Sequence, residues 1–103
     1  MESARLAALK NLVAQNPSDS FSRFGLAMEY RNTGDLESAA REFQALLEAN
    51  PGYAAAYFHF GQTLEKLART DEAREVYRRG VEVTAAKGDR HAQSELEGAL
   101  ELM

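Results

Sequence analysis

The chain has two prolines, Pro17 and Pro51; each follows an asparagine, and they stand 34 residues apart. The same step links one apolar position after another: Leu9 to Phe43 to Tyr77, Leu12 to Leu46 to Gly80, Val13 to Leu47 to Val81. Leu26 pairs with Phe60, Ala27 with Gly61, Tyr30 with Leu64, and Ala39 with Ala73. Self-similarity at a step of this size marks stacked supersecondary units, none of which can bury its apolar face alone. Such a chain is constrained to a linear stack that presents one long surface to something else.

Inside each unit the periodicity is helical. Leu6, Leu9, Leu12 and Val13 form a stripe on a helix expected from Ser3 to Gln15. Asn16-Pro17 closes it, because proline disfavours the α conformation in the residue before it. The Ser18-Asp19-Ser20 cluster predicts the cap of a second helix that reaches about Thr33 and stops at a left-handed Gly34. Asp35 predicts the cap of a third, from Leu36 to about Ala49, with Leu36, Ala39, Ala40, Phe43, Leu46 and Leu47 inward, and Asn50-Pro51 ends it. A fourth is expected from about Ala54 to Leu67, and a fifth, capped by Thr70 or Asp71, to about Ala86. Gly88-Asp89 then reads as a stop and a new start. Ala27, Gly61, Ala39, Ala73 and Gly80 let the paired helices approach, and Tyr30, Phe43 and Tyr77 are expected to fill the flanking space.

These positions resemble the tetratricopeptide repeat, whose pattern runs aromatic, Leu-Gly, Tyr, Ala, Phe and Pro at fixed spacings. In residues 54–87 the match is Tyr57, Phe60, Gly61, Leu64, Ala73 and Tyr77; in residues 20–53 it is Leu26, Ala27, Tyr30, Ala39, Phe43 and Pro51. Arg23 replaces the first aromatic of the first repeat, and Ala85 stands where the second should have its proline. The resemblance implies an all-α protein, a right-handed α-solenoid of antiparallel helix hairpins with about six helices. It implies one domain over 1–103: a half repeat at 3–17, repeats at 20–53 and 54–87, and a C-terminal capping helix at 89–103. In that cap Ala92, Leu96, Ala99, Leu100 and Met103 form the buried stripe, and Asp89, Arg90, Glu95, Glu97 and Glu101 meet water.

The resemblance also implies a function, a non-catalytic protein–protein interaction module that holds a peptide or helix of a partner in a concave groove. The family's groove positions fall here on Phe21, Phe24, Gly25, Met28, Arg31 and Asn32 in the first repeat, and on Ala55, Phe58, His59, Gln62, Glu65 and Lys66 in the second. Apolar groups gathered on a presented surface mark a contact site. Partner side chains would be buried against Phe24, Met28 and Phe58, while Arg31, Asn32, Gln62 and Lys66 hold backbone or carboxylate groups at the rim. The half repeat could instead cover Phe21 and Phe24. A second reading is self-assembly: the face of residues 20–33 left open by the half repeat would meet a second copy as a homodimer. Family members that clamp acidic C-terminal tails use lysine, asparagine and arginine where this chain has Phe24, Met28 and His59, so such tails are not expected as ligands.

Composition excludes other classes. With no cysteine there is no disulfide, thiol nucleophile or thiolate metal site. A net charge of −4 repels a phosphate backbone, and the basic run Arg74, Arg78, Arg79 is answered by Glu72, Glu75 and Glu82, so no nucleic acid is expected. No stretch approaches the ~20 apolar residues of a membrane span. Glu2, Arg5 and Lys10 occupy the region where a secretory signal would be apolar, which predicts a cytoplasmic protein without membrane contact. His59 and His91 have neither a Ser-His-Asp or glycine-rich phosphate pattern nor the helical His/Glu spacing of a metal pair. Both read as polar surface residues, and no enzyme activity, cofactor or metal is expected.

Overall fold

The computed structural model describes residues 2–103, and within them the chain forms six α-helices and no strand: α1 Ala4–Gln15, α2 Ser20–Asn32, α3 Leu36–Ala49, α4 Ala54–Lys66, α5 Thr70–Lys87 and α6 Arg90–Glu101. Side chains at four starts satisfy otherwise free N–H groups. Ser3 accepts from the Leu6 N–H at 3.0 Å, Asp19 from Phe21 at 3.2 Å, Asp35 from Ser38 at 3.1 Å and Asp89 from Ala92 at 3.1 Å. The start of α5 differs from expectation. Thr70 and Asp71 already lie inside the helix, and Arg69 holds the cap position without a capping side chain. Instead the Arg69 guanidinium pairs with Glu72, and Asp71 and Glu72 set negative charge in the first turn, where the helix dipole favours it.

The stops repeat as the sequence does. Asn16 (φ −143°, ψ 78°) and Asn50 (φ −141°, ψ 78°) share one non-helical backbone conformation before their prolines. Where Ala85 replaces that proline, α5 runs on to Lys87, 18 residues against the 14 of α3. Three other helices end in one left-handed turn, at Gly34 (φ 89°), Ala68 (φ 60°) and Gly88 (φ 71°). In each the following N–H reaches back to close the turn: Asp35 to the Tyr30 carbonyl, Arg69 to Leu64 and Asp89 to Thr84, all at 2.9 Å. Alanine resists this conformation, and a methyl group on Gly34 would meet nothing within 4 Å, so the difference between the two residues is purely conformational. Ala68→Gly should therefore be neutral or stabilising, and Gly34→Ala should cost about 1 kcal/mol. Urea midpoints of the two variants check this, and equal losses at both sites would contradict a shared turn.

Packing follows the hairpins. α2 lies on α3 and α4 on α5, α3 joins the pairs through α4, α1 packs mainly on α2, and α6 touches both α5 and α4. Ala27, Ala39, Ala73, Phe43, Leu46, Tyr57, Leu64 and Tyr77 make one continuous core with Leu96 of α6. The small residues sit at the contacts. A β-carbon on Gly61 would overlap the Tyr77 ring, and one on Gly80 would lie 2.7 Å from Tyr57 Cβ and 2.9 Å from Leu96 Cδ1.

Arg23, the departure from the aromatic pattern, keeps the contact that the aromatic makes. The Tyr57 hydroxyl donates to the Pro51 carbonyl at 2.6 Å, and one repeat earlier the Arg23 guanidinium donates to the Pro17 carbonyl at 3.3 Å. Arg23 also pairs with Glu42 of α3 at 2.8 Å, which ties the first hairpin together.

Two interior assignments are corrected. Tyr30 is half-buried, with the Lys10 ammonium 5.8 Å from its ring centroid. Leu12 is 50% exposed, although its counterpart Leu46 is 1% exposed. Leu46 has α2 and α4 on either side of its helix, whereas among the described residues α1 packs mainly against α2, so the α1 stripe buries Leu6 and leaves Leu12 open.

Candidate functional site

On α2, Phe24, Met28 and Arg31 recur at helical spacing, and on α4 Phe58 and Gln62 stand four apart, with His59 next to Phe58 on the side toward α2. Between the helices these groups form a run of rings. Phe24 lies 5.4 Å from Tyr53 and 5.8 Å from His59; His59 lies 5.7 Å from Phe58; Phe58 lies 6.4 Å from Tyr77 of α5. All fall within the usual range for interacting rings. Phe24 also meets the buried Phe43 edge-on at 6.1 Å, which anchors the run to the core.

His59 is half-buried, so its reading as a plain surface residue is corrected. Its Nδ1 lies 2.8 Å from the Arg31 guanidinium. A guanidinium can only donate, so Nδ1 accepts and the ring is neutral. Burial, and then the Arg31 charge, push the His59 pKa below its ordinary value, while Glu95 of α6 opposes the shift. The unfolded chain therefore binds this proton more readily than the folded one. The stabilisation is complete above about pH 6.5 and is lost as pH falls through the lowered native value. Urea midpoints measured from pH 7.5 down to 5 should fall more steeply for the native chain than for His59→Gln; parallel slopes would contradict the geometry.

The other expected groove residues are placed as follows. Phe21 is 75% exposed and α1 leaves it uncovered. Phe24, Met28 and Phe58 are half-buried against the core, with Arg31 and Gln62 beside them, and Asn32, Ala55, Glu65 and Lys66 are exposed. Gly25 is not on this face: a methyl group there would meet Leu9 Cδ2 at 3.3 Å, so it faces α1. Glu65 is less free than its exposure suggests, because the buried Tyr77 hydroxyl donates to its carboxylate at 2.5 Å. Burial and then Glu65 raise the Tyr77 pKa, which keeps that hydroxyl a donor.

The sequence reading missed the part of this face supplied by α6. Treated as a solvating cap, α6 also forms the far wall of a cleft of about 380 Å³, where Glu95, Ala99 and Leu102 stand opposite Phe58, Glu65 and Tyr77. A signal was present, since Leu102 falls off the buried stripe of the cap and is 91% exposed. A second cleft of about 240 Å³ opens between α3 and α5, over Leu47, Phe60 and Leu64, on the side of the second helices.

Antiparallel hairpins stacked at a 34-residue step, with their first helices lining one face, define a helical-repeat protein. The chain belongs to the tetratricopeptide repeat family, whose model matches residues 24–90. A TPR repeat-containing protein of Pseudomonas aeruginosa is 29% identical over 91 residues, which cover 88% of this chain and 87% of that protein. The crystal structure of a tetratricopeptide repeat domain protein from Salinibacter ruber is 36% identical with a TM-score of 0.75, and the match covers 80% of this chain and 91% of that one. YrrB, described as a TPR protein with an unusual peptide-binding site, is 26% identical with a TM-score of 0.77 over 90% of this chain and 46% of its own.

Proposed function

We propose that the chain is a non-catalytic interaction module that binds an extended peptide or a helix of a partner protein along the face shared by α2, α4 and α6. The run of half-buried rings from Phe24 through His59 to Phe58 carries this reading. It offers apolar surface that is already ordered by the core, so little side-chain entropy is lost on binding. Arg31, Asn32, Gln62 and Lys66 border it as polar groups able to meet a peptide backbone or carboxylate. The peptide-binding description of YrrB supports the class of ligand. Affinity capture from the source cell tests the reading when three baits are compared: the native chain, Met28→Glu with Phe58→Ser, and Gln44→Glu with Glu48→Lys between α3 and α5. Partners retained by the third bait and lost by the second are expected. Loss from the third alone would overturn the proposal.

A second reading rests on Leu12 and Phe21, both exposed large apolar residues on helices that pack together. A second copy covering them would make the chain a homodimer through a two-fold contact. Sedimentation across a concentration series would then show a monomer–dimer equilibrium that Leu12→Glu abolishes. A concentration-independent monomer would reject it.

A further inference from the structure

We propose that the cleft between α4 and α6 is a subsite for a cationic side chain, lysine or arginine, of the bound peptide; this rests on the reading of the α2–α4–α6 face as the peptide-binding surface. The cleft is apolar within and acidic at its rim. Phe58 lines it from α4 with the buried Tyr77 of α5 beneath, Ala99 of α6 and Leu102 just past its end form the other wall, and Glu65 of α4 and Glu95 of α6 each supply a carboxylate. Among the described residues no lysine or arginine lines it. Glu95 has no ion-pair partner among the described residues. The Tyr77 hydroxyl occupies one acceptor position of Glu65 and fixes its orientation, which leaves that carboxylate further lone pairs for a donor from outside.

That chemistry suits a long basic side chain and rejects an acidic one. Its methylene stem would lie along Ala99 and Leu102, its charged head would reach the carboxylates, and the half-buried Phe58 ring would add attraction for the cation. Neither Glu65 nor Glu95 forms an ion pair among the described residues, so a partner's cation would meet two carboxylates available to it. At about 380 Å³ the space suits one long side chain.

Gly98 supports the assignment independently. A glycine inside a helix costs about 1 kcal/mol against alanine unless packing requires it. Gly61 and Gly80 have such a requirement in the rings beside them, whereas a β-carbon on Gly98 would meet nothing within 4 Å. Gly98 borders the cleft, and its missing side chain keeps the cleft open.

The test is selection of displayed random dodecapeptides against the native chain, followed by calorimetry on the most enriched peptide. Enriched sequences should share a lysine or arginine beside an aliphatic residue. Glu95→Gln should weaken that peptide about tenfold, as should replacing its basic residue by norleucine, and the two changes together should cost little more than either alone. Gly98→Phe should abolish binding without lowering the melting temperature. Enriched peptides that lack a basic residue, or that ignore Glu95→Gln and Gly98→Phe, overturn the subsite; if Met28→Glu still abolishes their binding, the peptide-binding face stands. Binding that is indifferent to Met28→Glu and Phe58→Ser, or no enrichment at all, overturns both.

Discussion

Tyr77→Ala should cost about 3–5 kcal/mol, the range for truncating a core aromatic, out of the ~5–15 kcal/mol that holds a domain of this size. Tyr77 is 0% exposed, covers Gly61 across the α4–α5 contact, meets Phe58 at 6.4 Å and donates its hydroxyl to Glu65. Truncation empties that space at an interface between neighbouring helices, and in a stack each unit depends on the interfaces beside it. Tyr77→Phe separates the contributions, since it removes the hydrogen bond and keeps the ring, and should cost only about 1 kcal/mol. Circular dichroism in urea reads both. A Tyr77→Ala midpoint close to that of Tyr77→Phe would mean that the ring is not the central contact of this hairpin.

Gly61→Leu should be of similar severity by the opposite route. Its first added carbon already overlaps the Tyr77 ring, which cannot retreat because it is enclosed. Overpacking costs about 1–3 kcal/mol, and the larger side chain belongs at the upper end or beyond. Gly98→Ala is the matched contrast. It stands in a helix with open space around it and should stabilise by about 0.5–1 kcal/mol through helix propensity alone. Thermal unfolding of the pair should move in opposite directions; a shared direction would show that packing does not separate these two glycines.

The helices were legible because their signals are local. Asn16-Pro17, Gly34 and Asp35 act on their own backbone, and the structure places stops and a cap there. The strained Ala68 was legible from the repeat, as the counterpart of Gly34. What escaped the sequence depends on neighbours in space. Periodicity says which side of α1 seeks a helix but not whether one lies there, so Leu12 was assigned to the interior and stands open. Arg23 reads as a lost aromatic until its reach to the Pro17 carbonyl is seen. His59 reads as a surface residue because Phe24 and Arg31, which enclose it, lie on another helix. The α6 wall was hidden by register: with Ala85 in place of proline, α5 extends to Lys87 and Arg90 opens α6, where the 34-residue step would place residue 88.

Chemical-shift mapping of the labelled chain with the selected peptide bound compares the two faces of the molecule in one experiment. Resonances of Met28, Phe58, Gln62 and Ala99, on the α2–α4–α6 face, should move on titration, while those of Gln44, Leu47 and Val76, beside the cleft between α3 and α5, should stay in place. Shifts confined to Gln44, Leu47 and Val76 would contradict it and move the interaction surface to the second helices.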